Sequence, residues 1–366
     1  MKNLNFYLPT RVIFGKGRIS ELSENLKDYK KILIVSGKSS FKKSGAYDKI
    51  KAQLKDKKLV YFSDVKENPD FPTLKKGSEI ARKEKVELIM GVGGGSPMDA
   101  AKGIALLSTN EGDMKDYMKG KEVKKRPLPI VCIPTTSGTG SEVTPYAVFT
   151  DPVSKDKGGF ANPGIFPIFS IIDPELTYSM PDEVLINTGI DALTHALEAY
   201  LSTKATPFND VISIHAIEII MGNLKDALKR DKEAMDRISY ASMIAGIAIT
   251  NAGTLLLHAM GYPLTVFHGI PHGKANAILL PAFLDFMREN SSVKEKVELL
   301  DGIFEEYGGI VKFLKEFNIS TRLSENGIKE EEIKVFVEKT ITKKNLKITP
   351  AKITKEDLYE LYKGTF

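Results

Sequence analysis

The sequence predicts a two-part chain, in which an α/β half with helices on both faces of a parallel sheet is followed by an all-α half. Up to about residue 180, short apolar runs rich in β-branched residues alternate with helical patterns. Helical periodicity then dominates to the end of the chain. A length of 366 residues suits two such units. We therefore expect one domain over 1–180 and a second over 181–366.

Five apolar runs are predicted strands, and helices are predicted between and after them. The strands are 31–37, 58–64, 86–94, 127–136 and 168–174. The helices are 47–56 and 71–85 in the first half, and 183–203, 208–230, 232–261 and 272–289 in the second. Pro174 and Pro181 mark the boundary between the halves.

The composition is that of an ordinary globular protein and argues against nucleic-acid and membrane partners. The net charge of +5 is spread along the chain, and the basic run 121–127 is predicted to be a solvated loop, so we expect no nucleic acid. No apolar stretch approaches the roughly 20 residues of a membrane span, and the N-terminus lacks the apolar centre of a signal peptide. Cys132 is the only cysteine and suits a small core position. We expect a cytoplasmic protein.

The run "GVGGGSPMDAAKG" combines bare backbone with the start of a helix. Ser96 is the predicted N-cap, with Pro97 at the first helical position and Asp99 three residues after the cap. The glycines Gly93–Gly95 leave the free N–H groups of that helix open, as a pyrophosphate requires. The alternative is a plain tight turn, because the run is not the GxGxxG fingerprint. Lys102, two turns into the helix, fits a surface position.

A second backbone-rich segment, "PTTSGTGSEVTP" over 134–145, follows the next predicted strand. Its hydroxyl groups and glycines would lie near the carboxyl edge of the sheet, where ligands of open α/β sheets bind. A Ser/Thr-rich surface loop is the alternative.

Four of the five histidines form a compact pattern with one aspartate. The group is Asp191, His195, His258, His268 and His272. Asp191 and His195 are four residues apart in an apolar helical pattern and therefore share one buried face. One carboxylate with three imidazoles makes a metal site with an open position, and the lack of a thiolate suits both Fe²⁺ and Zn²⁺. The alternative is that each histidine is an ordinary core or surface residue.

These motifs together resemble the iron-containing (group III) alcohol dehydrogenases over nearly the whole chain. The resemblance rests on "RVIFGKG", "GGGSPMDAAK", "PTTSGTGSEVT", "DPEL", "GIDALTHALEAY" and "PHGKANAILLP". It implies a Rossmann-like dinucleotide-binding domain, an all-helical metal-binding domain and a dehydroquinate-synthase-like architecture, with the cofactor in the cleft between the domains.

The resemblance also implies roles for individual residues. The implied metal ligands are Asp191, His195, His258 and His272. The implied dinucleotide-binding residues are Gly93, Gly94, Gly95, Ser96, Asp99, Thr135, Thr136 and Lys157. Many members carry a proton-relay histidine one turn after the third ligand. Tyr262 stands at that position here, so we expect His268 or water to complete the relay.

The turn after the first predicted strand indicates which dinucleotide is preferred. NAD-selective relatives often place an aspartate there, which repels a 2′-phosphate. This turn consists of Gly37, Lys38, Ser39 and Ser40. Room, a positive charge and hydroxyl groups suit a phosphate, so we expect NADP(H) to be preferred; the alternative is a turn that also accepts NAD(H).

The resemblance thus implies an NAD(P)-dependent alcohol dehydrogenase. We expect Fe²⁺, or else Zn²⁺, and a small-to-medium primary alcohol, diol or aldehyde as substrate. A homodimer is usual for relatives. The alternatives are a glycerol-dehydrogenase-like zinc enzyme, a dehydroquinate-synthase-like lyase, and a dinucleotide-binding protein without turnover.

Overall fold

The computed structural model describes residues 4–366, so residues 1–3 of the predicted first domain lie outside the described residues. The described chain contains eight strands: β1 (Arg11–Phe14), β2 (Lys31–Ser36), β3 (Lys58–Phe62), β4 (Leu88–Gly93), β5 (Ile130–Pro134), β6 (Tyr146–Asp151), β7 (Asp156–Ala161) and β8 (Phe169–Ile172).

Helices lie between the strands of the first half and make up most of the second. Those of the first half are α1 (Leu22–Asn25), α2 (Ser40–Lys43), α3 (Ala46–Gln53), α4 (Phe71–Glu84), α5 (Gly95–Thr109) and α6 (Met114–Met118). Those of the second are α7 (Asp182–Leu201), α8 (Pro207–Leu228), α9 (Lys232–Ala252), α10 (Leu256–His268), α11 (His272–Asn290), α12 (Lys294–Glu305), α13 (Ile310–Glu316), α14 (Ile333–Thr340) and α15 (Lys355–Lys363).

Six strands form one parallel sheet in the order β1-β8-β5-β4-β2-β3, and β6 and β7 form a separate antiparallel hairpin. Alternate residues of β2 enter two different apolar clusters: Leu33 and Val35 face one, and Ile32 and Ile34 the other. The sheet is therefore covered on both faces, which confirms the predicted fold class. Since the strands are parallel, their carboxyl ends meet at one edge.

All five predicted strands are present, each somewhat shorter than predicted. The sequence did not indicate the edge strand β1, whose partner β8 is far away in the chain, nor the glycine-containing hairpin. The predicted continuous helix over 232–261 is wrong. It breaks at Gly253, whose φ of 75° favours glycine, and α9 and α10 meet at 112°. Within 4–366 no single helix is long and apolar enough to cross a membrane, although the bent pair α9–α10 meets both criteria together.

The segment after β5 joins the two halves through close backbone contacts. A Cβ at Gly138 would lie 2.5 Å from the Cβ of Thr188 on α7. A Cβ at Gly140 would lie 2.4 Å from the Cα of Gly246 on α9. Glycine is required at both positions because no side chain fits between these backbones. The segment is therefore clamped against the helical half.

Lys102 on α5 holds the same segment from the other side. It is completely buried, and its Nζ donates to the carbonyl oxygens of Ser141 (2.6 Å), Thr144 (2.9 Å) and Tyr146 (2.7 Å). The Ser141 hydroxyl in turn donates to Asp99 (2.7 Å). The predicted surface position of Lys102 is wrong, since the ammonium group binds backbone carbonyls that would otherwise lack donors.

We expect Lys102→Met to lower the free energy of unfolding by about 3 kcal/mol, because it leaves buried carbonyls and the nearby Asp99 without a cation. Chemical denaturation would measure this. The control is Lys75→Met on the exposed face of α4, which should change stability by less than about 0.5 kcal/mol. Equal effects of the two substitutions would contradict a structural role for the buried ammonium.

Candidate active site

The structure brings together one aspartate and three histidines from three helices of the second half. Asp191 and His195 are one turn apart on α7, His258 lies in the first turn of α10, and His272 begins α11. The ligand atoms of Asp191, His195 and His258 lie within 4.8 Å of one another. The Nε2 atoms of His258 and His272 are 3.7 Å and 3.9 Å from the same oxygen of Asp191. We call these four residues the metal cluster, because their side chains are of the types that bind metal ions.

Two of the imidazole rings are held by acceptors on their outer sides. Nδ1 of His195 is 3.1 Å from the carbonyl oxygen of Gly138, and Nδ1 of His258 contacts a carboxylate oxygen of Glu198. A ring that donates from Nδ1 keeps a lone pair on Nε2. The two rings are stacked, with centroids 4.7 Å apart. The Nε2 atoms of His195 and His258 are thus both available to bind one ion.

The chemistry of this cluster fits a divalent transition-metal ion. One carboxylate oxygen and three imidazole nitrogens converge, and the sole cysteine, Cys132, lies in the sheet core instead. Asn276 places its Nδ2 3.3 Å from Nε2 of His258, while its buried Oδ1 has no partner among the described residues. A nitrogen and oxygen set without thiolate suits Fe²⁺ and Zn²⁺.

Burial and neighbouring charges perturb the three rings differently. Burial lowers the pKa of His195, and it lowers the pKa of His272 further, with the positive charge of Lys157 adding to the effect. Burial also opposes protonation of His258, but the neighbouring carboxylates of Glu198 and Asp191 together raise the pKa of that ring. Neutral rings are the form that binds metals, so His195 and His272 are already in that form near neutral pH.

Tyr262 lies beside the metal cluster, whereas His268 contacts residues near the C-terminus. The ring of Tyr262 is nearly parallel to that of His272, with centroids 5.4 Å apart and planes at 17°. Nε2 of His268 is 2.9 Å from Glu332, and its ring meets Phe336 edge-on. His268 therefore packs against the C-terminal segment and is not part of the metal cluster.

The glycine run opens a helix as predicted, but the predicted capping box is wrong. Helix α5 begins at Gly95, and its N-cap Gly94 offers no side-chain acceptor. The Ser96 hydroxyl accepts from the N–H of Asn68 (3.2 Å), and Asp99 accepts from the N–H of Val148 (2.8 Å). The helix starts earlier than predicted, and these side chains bind neighbouring segments instead of capping it. Its first turn therefore presents backbone N–H groups without a side-chain cap.

The other expected dinucleotide-binding residues lie around this helix start. A Cβ on Gly94 would touch the hydroxyl of Thr136 at 3.2 Å. The neighbouring Thr135 is buried, and its hydroxyl has no partner within 4–366. Lys157 on β7 is also buried, and no acceptor among the described residues binds its Nζ, which lies 5.7 Å from the Tyr262 ring centroid. Burial lowers the pKa of Lys157 to about 8, against the opposing effect of Asp191.

The turn 37–40 lies at the same edge of the sheet, because β2 is the neighbour of β4 and β4 is the neighbour of β5. Lys38 and Ser39 are exposed in this turn. A Cβ on Gly37 would make only ordinary contacts, 3.5 Å from the Ser40 hydroxyl and 3.7 Å from the Val65 carbonyl oxygen. The turn, the start of α5 and the segment after β5 thus share one edge.

Sequence reasoning missed two groups that contact the metal cluster, namely Glu198 and the carbonyl of Gly138. Glu198 is completely buried on α7, three residues after His195. A carboxylate on the apolar face that already carries Asp191 and His195 was a usable signal. The contact of Gly138 with His195 had no such signal, because it joins segments 57 residues apart through a backbone oxygen.

Known protein families match both halves of this chain. The family model "Iron-containing alcohol dehydrogenase" matches residues 9–174, and "Fe-containing alcohol dehydrogenase family, C-terminal" matches residues 185–366. Alcohol dehydrogenase 4 of Schizosaccharomyces pombe is 35% identical, over 98% of this chain and 88% of its own length. The NADPH-dependent butanol dehydrogenase of Clostridium saccharobutylicum is 34% identical, over 99% of this chain and 98% of its own.

A solved iron-containing alcohol dehydrogenase from Thermotoga maritima superimposes with a TM-score of 0.91 at 40% identity, covering 99% of both chains. Family models thus match both halves of the chain, and its fold and sequence agree with those of relatives over nearly their full length. This chain belongs to the iron-containing alcohol dehydrogenases, a family of NAD(P)-dependent oxidoreductases.

Proposed function

We propose that this enzyme is a metal-dependent alcohol dehydrogenase and aldehyde reductase that prefers NADP(H). Its proposed substrates are small-to-medium primary alcohols, diols and the corresponding aldehydes. The observation that carries the proposal is the convergence of Asp191, His195, His258 and His272 beside a dinucleotide-binding edge. Fe²⁺ is the proposed ion, with Zn²⁺ as the alternative that the donor set also fits.

The proposed ligands hold the ion while the first half holds the dinucleotide. Gly93–Gly95 and Ser96 would bind the pyrophosphate at the uncapped start of α5. Thr135 and Thr136 would add hydroxyl groups, and Asp99 would keep the segment after β5 in place through Ser141. The clamped segment fixes the distance between the dinucleotide edge and the metal cluster, which hydride transfer requires.

The reaction needs the substrate oxygen, the hydride donor and a proton to meet at one place. A divalent cation held by these side chains would stabilise negative charge on the substrate oxygen. Lys157 is buried without an acceptor within 4–366, and we propose that it binds the dinucleotide near the nicotinamide. Tyr262 packs against His272 and would shield that end of the cleft from water.

The proton route is proposed to run through water beside Tyr262. Burial raises the pKa of the Tyr262 hydroxyl, so that group stays protonated and serves as a donor or acceptor of hydrogen bonds rather than as a base. The expected relay through His268 has no support in its contacts, because Nε2 of His268 pairs with Glu332.

The preference for NADP(H) rests on the turn 37–40. No side chain at Gly37 obstructs the approach of a phosphate, and Lys38 and Ser39 are exposed to it. A cation and hydroxyl groups at the end of β2 suit a 2′-phosphate better than a bare ribose hydroxyl.

A homodimer and a cytoplasmic location are further parts of the proposal. Exposed apolar side chains near the N-terminus and on α8, namely Leu4, Tyr7 and Val211, support association with a second copy. The single cysteine is buried and supports a reducing compartment.

We expect His272→Ala to lose metal and turnover together. Loss of a ligand should weaken metal affinity by more than about 100-fold, beyond the effect of an outer partner. Metal analysis and NADPH oxidation with a short aldehyde would measure both. His215→Ala on the exposed face of α8 is the control and should change neither. A His272→Ala enzyme that lacked metal yet kept its full rate would rule out the proposed function.

We expect the stability of the metal-free, cofactor-free protein to rise with pH relative to Lys157→Met. Between about pH 8 and the ordinary value of 10.5 the folded protein binds fewer protons at Lys157 than the unfolded chain does. The stability difference between the two proteins should therefore increase by up to about 1.4 kcal/mol per pH unit above pH 8. Denaturation of both proteins from pH 7 to 10 would measure it, and a constant difference would contradict a buried, unpaired ammonium.

We expect Gly37→Asp to raise the KM for NADPH by at least about tenfold, because a carboxylate beside the 2′-phosphate costs more than about 1.4 kcal/mol. Steady-state kinetics with each dinucleotide would measure this. Gly37→Asn, of nearly equal size but neutral, is the control and should affect NADPH much less. An unchanged KM for NADPH in the aspartate variant would show that this turn does not bind the phosphate.

A further inference from the structure

Glu198 lies on the face of α7 that also carries Asp191 and His195. It is completely buried in a helix whose other buried residues are mostly apolar. A carboxylate in such surroundings costs several kcal/mol unless its oxygens are fully paired. The groups that contact Glu198 therefore indicate the role of this side chain.

Both carboxylate oxygens are directed at the beginning of α10. Oε1 accepts from the N–H groups of Leu255 (3.0 Å) and His258 (3.2 Å), and Oε2 contacts Nδ1 of His258. Leu255, the N-cap residue of α10, provides no side-chain acceptor of its own. No lysine or arginine within 4–366 forms an ion pair with Glu198. One side chain thus caps the helix and holds the ring that the helix carries.

We propose that Glu198 is a positioning residue for the metal centre, which keeps the His258 ring in the tautomer that carries its proton on Nδ1 and offers Nε2 to the ion. This rests on the proposed function only in requiring that a metal binds at the four ligands. The carboxylate accepts but cannot donate, so the contacting Nδ1 must carry the hydrogen. The remaining ring nitrogen, Nε2, is the one that faces Asp191 at 3.7 Å.

The test is the zinc affinity of Glu198→Gln, measured without cofactor or substrate by competition with a chromophoric chelator. The amide oxygen preserves the cap on the N–H groups of Leu255 and His258. The amide nitrogen is a donor, so it favours an Nδ1 without hydrogen and a neutral ring with its proton on Nε2. Zinc affinity should therefore fall about 10- to 100-fold while the metal-free protein keeps its helix content.

Glu142→Gln is the matched control. Glu142 is another buried carboxylate, and its side chain contacts none of the four ligands among the described residues. Its substitution should leave zinc affinity unchanged within about twofold, which is small beside the effect of losing an outer partner. A Glu198→Gln protein that bound zinc as tightly as this control would overturn the proposal.

A second measurement does not depend on the variant folding. In the zinc-loaded wild-type protein, ¹⁵N-histidine NMR should show His258 with a protonated Nδ1 and a zinc-bound Nε2. The opposite assignment would overturn the proposal. A wild-type protein that bound neither zinc nor Fe²⁺ at the four ligands would instead refute the proposed function. Tight and equal zinc binding by wild type and Glu198→Gln would refute only the role of Glu198.

Discussion

The contact between the segment after β5 and helix α7 is the constraint on which both halves of the site depend. The carbonyl of Gly138 reaches Nδ1 of His195 at 3.1 Å because no side chain separates the two backbones. Lys102 binds the same segment from the sheet side. One stretch of backbone therefore adjoins both the start of α5 and the His195 ring, so the glycine run and the metal cluster have a fixed separation.

Charge compensation explains why several polar groups tolerate burial here. The region contains the carboxylates of Asp191 and Glu198 and the ammonium of Lys157, all at most 6% exposed. A divalent cation would balance the two carboxylates, and the phosphates of a dinucleotide would balance the lysine. Burial lowers the pKa of Lys157 more than the nearby carboxylates, Asp191 first among them, raise it. Binding of such ligands at these residues would therefore stabilise the folded protein.

Most of the fold, and the four residues that the structure brings together, could be predicted from the sequence, because both follow from local periodicity and residue type. Apolar runs located five strands, and the spacing of Asp191 and His195 placed them on one face. The predictions that failed concern residues whose partners lie far away in the chain. Ser96 and Asp99 bind other segments instead of capping α5. Lys102 is buried because it binds acceptors about 40 residues away in the chain, which a local sequence pattern does not reveal. His268 could be grouped with the ligands by proximity in the chain, yet it pairs with Glu332.

The break in the helix at Gly253 turns the chain and also determines which backbone amides are free to bind other groups. In an unbroken helix the amides of residues 255 and 258 would bond to carbonyls one turn earlier, and no interior donors would remain. Because the helix restarts inside the protein, two backbone N–H groups remain free in the core, and both donate to Glu198. The break at Gly253 thus frees two amides for the same carboxylate that contacts the His258 ring.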